Sequence, residues 1–171
     1  MRPADTTLAV TNSDDAVNPP KQHKPCQVGA PLSSLADLID IAFASHNRSN
    51  GATVSLHDGN MEDKKLFTVS IYPEHAQEFW ERPTWQELFD FAKARLDLLS
   101  KADHALGIWF NDYELIHVID VVICIPDCEL ALELGRRFDQ VAIFDLETRR
   151  EIPISHVSLD ATVKLVEVGN D

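Results

Sequence analysis

The run Leu115-Ile-His-Val-Ile-Asp-Val-Val-Ile-Cys-Ile125 constrains this chain more than any other stretch. β-Branched residues occupy both parities, so neither face can be assigned to water, and the run reads as a central strand buried on both sides. It is too short to span a bilayer, His117 and Asp120 interrupt it, and Pro126 ends it. Upstream, Leu106-Gly-Ile-Trp-Phe-Asn111 forms a second strand, and Asn111-Asp-Tyr-Glu114 supplies the polar turn of an antiparallel hairpin. Downstream, Asp127 is placed to cap a helix, with Glu129 in its first turn where the dipole favours an acid. Leu130, Ala131, Leu134, Gly135 and Phe138 make the inward side, while Glu129, Glu133, Arg136 and Arg137 point outward. Gln140-Val-Ala-Ile-Phe-Asp-Leu146 and Glu151-Ile-Pro-Ile154 follow as strands joined by a polar turn.

The remainder divides into three parts. Residues 1–30 mix polar residues with Pro and carry few large apolar groups, which predicts a mobile tail. Residues 31–155 form the folded domain, and 156–171 form an extension that supplies a further edge strand. At the start of the domain, Ser33 or Ser34 caps a helix whose apolar stripe is Leu35, Leu38, Ile39, Ala42 and Phe43, with His46 as a favourable cation in its last turn. Two alternating strands follow, over 51–57 and 66–72. Ala52, Val54 and Leu56 share one face of the first, and Phe67, Val69 and Ile71 share one face of the second. The other face is hydroxyl-rich: Thr53, Ser55, Thr68, Ser70 and Tyr72. Thr84-Trp-Gln-Glu87 is a capping box that opens a long helix reaching about Lys101, with Trp85, Leu88, Phe89, Ala92, Leu96 and Leu99 inward. The fold class expected is α+β: a single domain with a mainly antiparallel sheet of five or six strands. About three helices pack on one face, and the other face meets water.

The pattern Asp120-Val-Val, then Asp127, Ala131-Leu-Glu-Leu-Gly135, Gln140, Ala142-Ile-Phe-Asp-Leu146 and Glu151-Ile-Pro153 resembles a module of small phage proteins and of large mobile-element proteins. More distantly it is similar to a family of uncharacterised bacterial domains that ends in a comparable helix and strand. The resemblance covers about residues 51–153. It implies architecture and a mobile-element context, and it carries over no catalytic residue.

Lys+Arg number 15 against Asp+Glu 28, a net charge of −13. That balance repels phosphate backbones and anionic membrane surfaces, so the expected partner is a basic protein surface, with no direct nucleic-acid and no membrane binding. The three cysteines Cys26, Cys124 and Cys128 form no disulfide framework, which suits a reducing cytoplasm, and the N-terminus reads as lacking a signal-peptide core. The expected location is therefore the host-cell cytoplasm. Cys124 and Cys128 read as half-buried thiols, since no second pair stands at ligand spacing, and neither metal nor cofactor is expected. His117 and Asp120 are an odd number apart, hence on opposite faces of their strand and a poor acid/base pair. No nucleophile elbow, phosphate-cradling loop or dinucleotide fingerprint is present.

These features point to a non-catalytic interaction protein of phage or mobile-element type. It would inhibit a host defence nuclease or nucleic-acid-binding complex, in the manner of an anti-CRISPR or antirestriction protein, by laying acids over a basic groove. The residues expected to carry it are Glu87, Asp90 and Asp97 on one helix and Glu129 and Glu133 on another. The alternative is a small enzyme or ligand-binding domain with its site around His57, Tyr72 and His117.

Overall fold

The computed structural model describes Leu32 and residues 34–154. The expected tail over 1–30 and the edge strand expected within 156–171 lie outside the described residues.

The chain begins with α1 (Leu35–Ser49). Its cap is Ser34, whose Oγ accepts the Asp37 amide at 3.2 Å, and it stops where Asn50 turns left-handed at φ 60° and donates its N–H to His46 O. Next come β1 (Gly51–Ser55), the two-residue β2 (Gly59–Asn60), β3 (Phe67–Ser70), a 3₁₀ turn at Pro73–His75 and β4 (Gln77–Phe79). The Thr84/Glu87 capping box is formed and opens α2 (Trp85–Ala94).

The single long helix expected to reach Lys101 is broken at Arg95, where the backbone leaves helical geometry, and continues only as the short α3 (Leu96–Leu99). The cause is local. Arg95 folds back so that its guanidinium lies 3.9 Å over the Phe91 ring and Nη1 donates to Phe91 O, the carbonyl the Arg95 amide would take in an unbroken helix. The amide bonds Ala92 O instead. Leu96, assigned to the buried stripe, is therefore exposed, and Phe91 takes its place in the core.

The hairpin follows as expected: β5 (His104–Asn111) pairs antiparallel with β6 (Ile116–Ile125) along its whole length, from His104 opposite Ile123 to Asn111 opposite Ile116. Asn111 Oδ1 accepts the amides of Tyr113 and Glu114, and Leu115 closes the turn at φ 58°. Asp127 caps α4 (Cys128–Arg137) by accepting the Glu129 and Leu130 amides at 2.9 and 3.1 Å. A Schellman arrangement ends it, with Asp139 at φ 54° donating to Arg136 O and Gln140 donating to Gly135 O. Of the expected inward side, Leu130 is exposed, while Ala131 and Gly135 are buried. β7 (Ala142–Asp145) and β8 (Arg150–Pro153) close the described chain.

Among the described residues the sheet has eight strands, more than the five or six expected, in the order β2-β1-β5-β6-β3-β7-β8, with β4 also on β6. The same residues form four α-helices rather than about three. The extra strands are the short β2 and β4, too brief to show a period. β6 is the hub and is buried on both faces. One of its edges is taken by β5. The other is shared: β3 covers Val122 to Ile125, and β4 covers His117 to Ile119. Between these two partners the chain makes an excursion through the 3₁₀ turn, opposite Asp120 and Val121.

Register sorts the side chains into two faces. Ala52, Val54, Leu106, Ile108, Ile119 and Val121 join residues of α1, α2 and α3 in one core cluster. Val69, Ile123, Ile125 and Ile143 join Ala131 of α4 and Ile154 in a second. All four helices thus cover one face, as expected. The opposite face is the hydroxyl-rich one, carrying Thr53, Ser55, Thr68 and Ser70 together with Gly107 and Asp120. It does not meet water in the expected way, because those four hydroxyl residues are all buried.

Gly107 lies directly opposite Asp120 in the hairpin, and a Cβ at 107 would overlap Asp120 Oδ1 and stand 3.0 Å from Val122 Cγ1. The carboxylate therefore occupies the space a side chain would need. Gly107→Ala should cost about 1–3 kcal/mol, as overpacking does. In an Asp120→Ala background that cost should fall below about 1 kcal/mol, because the two changes share one space. Denaturant titration of the four proteins reads this; equal costs in both backgrounds would show that the two residues do not meet.

Candidate functional site

The structure gives each sequence-predicted residue a definite place. Glu87, Asp90, Asp97, Glu129 and Glu133 are all exposed. They fall into two groups, since α2 and α3 rest on one core cluster and α4 on the other. Within the first group, Glu87 and Asp90 line a cleft of about 230 Å³ between α2 and β4, together with Gln77, Phe79, Phe91, Ala94 and Arg95. Asp97 lies past the break at Arg95 and does not line it. Glu87 has a second task, because its Oε2 accepts both the Thr84 amide and the Thr84 hydroxyl at 2.7 Å, and these bonds hold its carboxyl below the usual range.

The three residues of the alternative site go to three different partners. His57 Nε2 meets Ser100 O at 2.7 Å, beside a hollow lined by Leu32, Leu35, Leu56 and Leu96. His117 Nδ1 meets His46 Nε2 at 3.1 Å, with the Phe110 ring against it. Tyr72 turns its hydroxyl to His104 Nε2 at 2.9 Å, and His104 Nδ1 meets Asp103 Oδ1 at 2.7 Å. Asp103 is acceptor only, so His104 donates through Nδ1 and accepts the phenolic proton at Nε2. That hydrogen bond from His104 lowers the Asp103 pKa. The order Asp–His–Tyr is one that can withdraw a phenolic proton, and Lys101 Nζ lies 5.8 Å from the Tyr72 ring centroid. Sequence reading missed Asp103 and His104 in this chain. Their adjacency was visible, but the excursion that brings Tyr72 to them has no sequence period.

His46 is not the helix-end cation expected. It is fully buried, and burial first, then the charges of Arg82 and His117, bring its pKa down to about 4, so the ring is neutral. Burial and Arg82 lower His117 likewise. Arg82 holds this corner by donating to His46 O and Asn50 Oδ1, both at 2.6 Å, and Trp85 Nε1 donates to Asp40 Oδ1 at 2.7 Å to tie α2 to α1.

Asp120 is structural in placement, and among the described residues it has neither a counter-charge nor a full set of hydrogen-bond partners. Oδ1 is buried without a hydrogen-bond partner among the described residues. Burial raises its pKa to about 6, against the opposing pull of the Ser70 hydroxyl. Cys124 and Cys128 are free thiols, and burial pushes Cys124 up to about 12. Among the described residues no group of His, Cys, Asp and Glu is arranged to hold a metal, and no helix is long and apolar enough to cross a membrane.

No family model, curated protein or solved structure matches this chain.

The titration of Asp120 and of His46 act on stability with opposite signs. Asp120, raised in the folded state, contributes stability that is complete below about pH 4 and is lost as pH rises to about 6, because the native state binds the extra proton. His46, depressed to about 4, contributes stability that is complete above about pH 6.5 and is lost as pH falls through that window. The two trends offset each other in the parent protein. Asp120→Asn isolates one of them: its stability relative to the parent should rise between about pH 4 and pH 6, by on the order of 3 kcal/mol, then level off. Calorimetric melting of both proteins across that range checks it, and a pH-independent difference would show the carboxylate to be paired.

Proposed function

We propose that this chain is a non-catalytic interaction protein of phage or mobile-element type, which blocks a host defence nuclease or nucleic-acid-binding complex by covering a basic groove. The observation that carries the reading is the distribution of charge: a net −13, with all five candidate acids exposed on their helices while Leu88, Phe91, Ala92, Leu99 and Ala131 of the same helices are buried. Acids so placed speed encounter with a Lys/Arg-rich groove and repel nucleic acid, which is what a competitor for such a groove requires. The resemblance of residues 51–153 to mobile-element modules supports the same reading, and host-cell cytoplasm is the compartment it requires.

The test is a transformation assay. In a host carrying an active RNA-guided or restriction nuclease, expression of the protein should raise recovery of a targeted plasmid at least about 10-fold. Asp90, Asp97, Glu129 and Glu133 reversed to Lys should remove that gain and slow association with the purified nuclease about 10-fold or more at low salt. The melting temperature should stay near the parent value, since exposed charges contribute little to folding. Glu87 is left intact because its reversal would break the capping box. Equal recovery with and without the protein in both nuclease backgrounds would refute the proposal.

A second reading, a small enzyme or ligand-binding domain, is favoured by one observation, the Asp103–His104–Tyr72 chain. It would centre on Tyr72 and leave His57 and His117 to structural duty. Tyr72→Phe separates the two readings: protection in the transformation assay survives it under the first and disappears under the second.

A further inference from the structure

Among the described residues, β4 has a partner on one side only. Gln77, Glu78 and Phe79 pair with Ile119, Val118 and His117 of β6, and no described strand lies on the other side. The orientation of its backbone groups follows from the hub strand. Cys124 N–H donates to Asp103 O, across the β5 side, so even-numbered residues of β6 bond β5 and odd-numbered ones bond β3 and β4. Ile119 and His117 therefore bond Gln77 and Phe79, and the N–H and C=O of Glu78 point outward.

Directly behind this edge is the cleft between β4 and α2. Gln77 and Phe79 turn their side chains into it, Phe91 adds an apolar wall, and Glu87 and Asp90 add carboxylates. Arg95 is held against the Phe91 ring by its own bond to Phe91 O and pairs with neither acid. Glu78 falls on the opposite side of the strand and is exposed, and Trp80, the residue just past the strand, is 82% exposed. A backbone edge with no described strand beyond it, an acid-walled cleft on one side of it and an exposed indole at its end match what strand addition needs: main-chain bonds for affinity, and side-chain sites for selectivity.

We propose that the free edge of β4 takes an extended Lys/Arg-bearing segment of the partner protein as an added antiparallel strand. The residue opposite Glu78 exchanges both backbone hydrogen bonds with it and sets its side chain on the Glu78 side of the strand, away from the cleft. The residues on either side stand opposite Gln77 and Phe79 and put their cationic side chains into the cleft, toward Glu87 and Asp90. The proposal rests on the reading of a basic protein partner, and it names the site and the binding mode.

The probe is the peptide Val-Lys-Val-Lys-Val-Lys-Val, titrated against the ¹⁵N-labelled full chain. Shifts are expected at the amides of Gln77, Glu78, Phe79, Glu87 and Asp90. N-methylation at the Val positions should weaken binding at least about 10-fold, because Val must face Glu78, while N-methylation at the Lys positions should leave it near the parent value. Glu78→Pro, a change an outward-facing edge position tolerates, should weaken binding as the Val methylation does, and Glu78→Gln should weaken it far less.

Several outcomes would overturn the proposal. If all the methylated peptides bind alike and binding still falls with salt, strand addition is wrong and the acidic-surface reading survives. If a peptide with Glu in place of Lys binds equally well, both fail. Absence of binding, shifts confined to other elements, or self-association of the chain through β4 would each refute the proposed site.

Discussion

The fold depends on the backbone of β6 being satisfied along both edges while both of its faces are buried. A ten-residue strand so placed needs a partner for every peptide group it turns away from water, and no single neighbour supplies the second edge. β3 and β4 divide it. The six residues that link them loop out, and the loop has two consequences: it brings Tyr72 to His104, and it leaves β4 as a short strand with one side open. The polar chain and the open edge thus have a common origin in one break of pairing.

The same strand carries the protein's least comfortable group. Asp120 is buried, has one oxygen without a partner among the described residues, and fills the place of a missing side chain at Gly107. A carboxylate in that environment stays ionised at neutral pH only against an opposing desolvation term. On the helix-covered side of the strand, burial and the cation of Arg82 lower the pKa of both buried histidines, His46 and His117. Asp120 and His46 therefore lie on opposite sides of one strand, with opposite effects on stability between about pH 4 and pH 6.5.

Much of this was legible from the sequence wherever a local rule decides the outcome. The caps at Ser34, Thr84 and Asp127, the Asn111 turn, the buried central strand and the opposite facing of His117 and Asp120 all follow from spacing alone. What was not legible depends on neighbours distant in sequence. Arg95 ends its helix by capturing the Phe91 carbonyl, which no residue propensity announces. β4 is three residues long, shorter than any period can reveal, and exists because β6 has an edge to fill. β3 inserts between β6 and β7, an order that consecutive pairing would not suggest. The five acids were correctly read as outward, yet only the structure shows that Glu87 and Asp90 share a cleft with β4 while the helix of Glu129 and Glu133 rests on a different core cluster. The hydroxyl-rich face was recognised as a face, but its burial was missed.

The measurement that tests this account most directly is residue-resolved amide hydrogen exchange of the unliganded full chain. The amides of Gln77 and Phe79 should be protected by their bonds to β6. The Glu78 amide between them should exchange within about 10-fold of an unstructured peptide, because it faces outward with no described strand beyond it. Protection of Glu78 equal to that of its two neighbours would mean that the edge of β4 is already covered, and would contradict the account.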